Sequence, residues 1–148
     1  MRNFATLSRL ALIVAAAVVV VVLGALWWTK TIAFTKTAVV VFGTEQPADG
    51  SVSFTLIDVE ASPDDLTKTA QLLAQTHGGS ASDYESDLTI MSATDVSGLA
   101  VTARGRTPEA AQSLATDAAG LLSSYLTEIN ATNPNPNRFT FTVVPAQQ

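Results

Sequence analysis

Residues Leu10 to Trp28 read LALIVAAAVVVVVLGALWW, a run without a single charge. A helix rises about 1.5 Å per residue, so a run of this length matches a hydrocarbon core of roughly 30 Å. Val, Ile and Leu each favour insertion, and an intramembrane helix satisfies its own backbone groups. Trp27 and Trp28 stand at the far end, where indoles prefer the headgroup layer, so both are expected at a membrane interface. A cleaved signal peptide would carry a shorter apolar region ending in small residues. The expectation is therefore an uncleaved signal anchor, a single transmembrane helix over 10–28 after a short N-terminus at 1–9. Arg2 and Arg9 precede it and Lys30 and Lys36 follow, a small bias that places the N-terminus in the cytoplasm. That localisation is the bacterial plasma membrane, single-pass, with the C-terminal domain on the outer side.

After Trp28 about 120 residues remain, enough for one compact domain. Six Lys and Arg there face all thirteen Asp and Glu of the chain, a net charge of −7. A nucleic-acid backbone is repelled by such a balance, so no nucleic-acid partner is expected. The chain has no cysteine, which excludes disulfides, zinc–thiolate sites and thiol redox chemistry.

Val39 to Phe42 reads as a short strand within a membrane-proximal segment, 29–50, ahead of an extracytoplasmic α/β domain, 51–148. Val52, Phe54 and Leu56 alternate with Ser53 and Thr55 as in a half-buried strand. Ser62-Pro63-Asp64-Asp65 opens a helix: serine suits the N-cap, proline the first turn, and acids the positive dipole end. That helix stops at His77-Gly78-Gly79. After a polar loop (Ser80 to Ser86), Leu88 and Ile90 mark a strand, and Leu99, Val101 and Ala103 another. Thr107-Pro108-Glu109 repeats the helix-start signal before a long amphipathic helix carrying Ala111, Ala115, Leu122 and Ile129 on one face. Asn133-Pro134-Asn135-Pro136 ends it, and Phe139, Phe141 and Val143 form a last alternating strand. The expected fold class is α+β: the transmembrane helix, then a ferredoxin-like (βαββαβ) domain with one extra N-terminal strand.

Chemistry is sparse. His77 is the lone histidine and suits a helix C-terminus better than a metal or catalytic role. Asp64-Asp65 reads as helix-start chemistry, and Asp83, Glu85 and Asp87 as a solvated acidic loop. Asn130-Ala131-Thr132 has the form of a glycosylation sequon. No phosphate loop, nucleophile elbow or metal-spaced cluster is present, so no enzyme activity and no cofactor are expected. Arg104-Gly105-Arg106 lies between a strand and a helix N-terminus, where free amides attract anions. Arg104 and Arg106 are the candidate anion- or glycan-binding residues; the competing reading is two arginines covering a solvated turn.

The segment GLAVTARGRTPEAAQSLATDAAGLLSSYLTEI, Gly98 to Ile129, resembles the Wzz-type polysaccharide co-polymerases, or chain-length determinants, and their Gram-positive capsule relatives. In that family an Asp-Pro-x-x-Ala-x-x-Ile-Ala-Asn pattern opens a helix after a strand. The matching positions are Thr107-Pro108, Ala111 and Leu114-Ala115, with Thr116 in place of asparagine. Val143 to Ala146 (VVPA) resembles the segment before the family's second membrane helix, which this sequence lacks. The resemblance implies a non-catalytic, oligomerising regulator of surface polysaccharide assembly or export. Its implied partners are the membrane, further copies or an integral membrane complex, and a polysaccharide or lipid-linked glycan. The alternative is a scaffold or accessory subunit of a secretion or pilus machine with no glycan role.

Overall fold

The computed structural model describes residues 18–26, 28, 33–44, 59–132 and 139–147. They fall into two compact units, Met1–Ala33 and Phe34–Gln148.

In the first unit, residues 18–26 are helical, with Val18 to Leu23 at least half exposed. Among the described residues no helix is long and apolar enough to cross a membrane. The expected transmembrane helix over 10–28 is corrected on that finding, and with it the single-pass placement in the plasma membrane and the outward orientation. Residues 10–17 and Trp27 lie outside the described residues, and Trp28 is exposed.

The second unit holds β1 (Phe34–Thr44), α1 (Pro63–His77), α2 (Ala81–Asp87), β2 (Leu88–Ser92), β3 (Gly98–Gly105), α3 (Pro108–Thr132) and β4 (Phe139–Val144). The strands form one antiparallel sheet in the order β2-β3-β1-β4. Each strand-helix-strand half is thus split by a strand of the other half. Helix α3 is long enough to span a bilayer, but Glu109, Asp117 and Glu128 lie along it and its buried stripe faces the sheet.

Alternation along the strands sorts side chains to two faces. Ala38, Val40, Leu99, Val101 and Ala103 point to the helices and are buried, with Leu88 beside them. From α3, Ala111, Ala115, Ala118, Ala119 and Leu122 form a fully buried stripe, and α1 adds Leu73. Methyl-sized side chains let α3 lie close to β1 and β3. Gly105 belongs to the same close approach, because a Cβ there would meet the Ala111 backbone nitrogen at 2.5 Å. At Gly98 a Cβ would overlap the Val40 carbonyl, so the β2–β3 connection can reach β1 only with glycine.

Helix α1 begins at a capping box. Ser62 Oγ accepts from the Asp64 amide at 3.3 Å, and the Ser62 amide donates to Asp65 Oδ2 at 3.0 Å. It ends at Gly78, whose φ of 79° is the left-handed region glycine tolerates.

The expected fold, a membrane helix ahead of a ferredoxin-like domain with an extra strand, needs correction. The described residues of the second unit form an α+β arrangement with a single four-stranded antiparallel sheet. The strand expected as an addition at Val39 to Phe42 is instead eleven residues long and central, paired with β3 on one side and β4 on the other. Its Thr35, Lys36 and Thr37 hide the extension, since β-branched threonine suits a pleated surface without registering as apolar. The strand expected around Val52 to Leu56 lies outside the described residues. The polar loop from Ser80 is largely helix α2, capped by Ser80 Oγ on the Asp83 amide and held by Tyr84 Oη donating to the Gly78 carbonyl at 3.0 Å.

Candidate interaction site on the open sheet face

The face of the sheet turned away from the helices is built by alternate residues of all four strands. One row crosses it as Met91, Ala100, Val39 and Val144, each directly opposite the next in the pairing register. The neighbouring row is Thr89, Thr102 and Thr37, and on the other side Val41 stands opposite Thr142. Thr37 Oγ1 and Thr102 Oγ1 are hydrogen-bonded to each other at 2.8 Å, so two central polar groups partly meet one another's need.

The β2–β3 connection, residues 93–97, borders this face. The Ala93 amide donates to the Gly98 carbonyl at 2.9 Å, and the Phe42 amide to the Ser97 carbonyl at 2.8 Å, which fastens the connection to β1. Between it and the sheet runs an open groove of about 480 Å³, lined by Val39, Val41, Met91, Val96, Ala100 and Val144 with threonine hydroxyls at its side. Met91 is 61% exposed, and Val96 and Val144 44% each. Scattered exposed apolar residues are ordinary; here four apolar residues are aligned in one row across the sheet centre.

The far edge of this face is set from α3. Gln112 Nε2, Ser123 Oγ and Asn130 Nδ2 donate to the carbonyls of Ala146, Phe141 and Phe139 at 3.0, 3.0 and 3.1 Å. Phe42 and Phe141 meet edge to face at 4.9 Å beneath the sheet. Together these contacts hold β4 in the register that turns Val144 outward.

The arginines singled out from the sequence stand in different settings. Arg104 is exposed at the C-terminal end of β3, opposite Thr35, and belongs to the open face. Arg106 is partly buried in the turn beyond the strand. At the start of α3, Thr107 Oγ1 accepts from the Ala110 amide at 3.1 Å, so one of the free amides that would draw an anion is already capped. His77 Nε2 lies 3.7 Å from Asp117 Oδ2, tying the end of α1 to α3 across a half-exposed gap. Asp64 and Asp65 serve the α1 cap, and Asn130 holds β4. Among the described residues no three His, Cys, Asp or Glu side chains group to hold a metal.

The open face is hard to see in the sequence, because Met91 and Val144 gain meaning only once register aligns them with Val39. No family model, curated protein or solved structure matches this chain.

Proposed function

We propose that the chain is a non-catalytic interaction module that self-associates through the open face of its sheet. It acts as an oligomerising regulator, in the setting of surface-polysaccharide assembly or export. The observation that supports self-association is the row Met91, Ala100, Val39 and Val144, an apolar centre in a chain of net negative charge. A neutral face on a net-negative protein brings two copies together where their mutual repulsion is least. The polysaccharide setting rests on the resemblance of Gly98 to Ile129, a segment that folds as β3, a turn and α3.

The two parts are tested separately. Full-length protein is sedimented across a concentration range, with Val144→Asp beside wild type. A wild-type dimer lost in the variant supports the face, and a monomer throughout contradicts self-association. Polysaccharide length is then compared on gels from host cells with the gene deleted and complemented. A chain-length shift on deletion, restored by wild type and not by Val144→Asp, supports the regulator; an unchanged ladder contradicts the polysaccharide setting.

A further inference from the structure

The open face offers its occupant two charged landmarks. Among the described residues of the strands' outward positions and the 93–97 connection, the charged side chains are Arg104 and Asp95. They stand at opposite ends of β3: Arg104 four residues beyond Ala100 in the central row, Asp95 just before the strand begins.

We infer that the occupant of the groove is a second copy of this chain, packed sheet to sheet about a two-fold axis along the row Met91–Ala100–Val39–Val144. This rests on the self-association proposed above and adds its geometry. A face-to-face pair of identical sheets must place its two-fold axis in the interface plane. An axis parallel to the strands would gather both copies' Arg104 at one end and both copies' Asp95 at the other, massing like charges. An axis perpendicular to the strands exchanges the ends, so that each Arg104 meets the other copy's Asp95. Opposed charges at an interface rim fix orientation more than they add affinity, and here they select the second arrangement.

Size agrees with that occupant. The four strands hold thirty residues. At about 3.4 Å per residue and 4.8 Å between strands, they cover about 500 Å². Two copies then bury about 1,000 Å², where specific interfaces begin. The contact is accordingly of a transient, concentration-dependent kind. Along the axis each row residue faces its own equivalent, so the projecting Met91 and Val144 each meet the same residue of the other copy.

The absence of native cysteine makes the test clean. Stacked sheets lie about 10 Å apart, too far for a direct disulfide, so a short bis-maleimide is the probe. Full-length Met91→Cys and Val144→Cys are each expected to cross-link to themselves, whereas Gln75→Cys, on the exposed side of α1, is not. Arg104→Asp and Asp95→Arg are each expected to weaken the dimer about tenfold, and the double variant to restore it. Circular dichroism of each variant checks that the fold is kept. A wild-type dimer that neither row variant cross-links, or whose double charge swap gives no rescue, overturns the geometry while self-association stands. A wild type that is monomeric overturns both.

Discussion

Thr37 and Thr102 face each other across β1 and β3 with their hydroxyl oxygens 2.8 Å apart. Each is the other's partner, so the open face carries two polar groups whose hydrogen-bonding need is partly met internally. Changing one to valine leaves its neighbour to water, at a cost of about 0.5–1 kcal/mol. Changing both is expected to be nearly neutral, with a coupling of about 0.2–1 kcal/mol in a double-mutant cycle read by urea unfolding. The double valine variant is also expected to dimerise more tightly in sedimentation, since it removes two hydroxyls from the contact. Weaker dimerisation would count against the face.

Glycine has opposite meanings at Gly105, the last residue of β3, and at Gly120, in the middle of α3. Gly105→Ala forces a methyl against the Ala111 nitrogen and is expected to cost about 1–3 kcal/mol, read as a lowered Tm. Gly120, within α3, has nothing within 4 Å of a built Cβ. Gly120→Ala is expected to stabilise by about 0.5–1 kcal/mol through helix propensity alone. Equal effects at both sites would contradict the close packing of α3 on the sheet.

Leu122 is fully buried between α3 and the sheet, among alanines that have no slack to fill a void. Leu122→Ala is expected to cost about 2–5 kcal/mol in equilibrium denaturation. A loss below about 1 kcal/mol would mean that the core is looser than this packing requires.

Ser62 opens α1 through both its hydroxyl and its amide, but only the hydroxyl is lost on truncation. Ser62→Ala is therefore expected to lower stability by about 1 kcal/mol and leave dimerisation untouched, because α1 lies on the other side of the sheet.

The parts of this fold that are legible in the sequence are those governed by local chemistry. Ser62-Pro63 and Thr107-Pro108 start helices because caps act within one turn, and Leu99-Val101-Ala103 shows period two because one face is buried. The parts that are not legible depend on distant partners. Phe34 to Ala38 extend the central strand only by pairing with Val101 to Gly105 on β3. The helix at Ala81–Asp87 is polar nearly all round and gains its place from Tyr84 reaching Gly78, a contact without periodic signature. A membrane-spanning reading rests on a local apolar run, its lack of charge and the two indoles at its end, whereas among the described residues no helix is long and apolar enough to cross a membrane. Of the candidate site, Arg104 is conspicuous in the sequence for its charge, but its place at the other end of β3 from Asp95 follows from register and turn geometry.

Sedimentation equilibrium of the full-length protein beside Met91→Asp and Val144→Asp tests the role of the open face most directly. The expected result is a concentration-dependent wild-type dimer, with both variants monomeric and unchanged in far-UV circular dichroism. A wild type that stays monomeric over the whole range, or variants that dimerise as well as wild type, would contradict it.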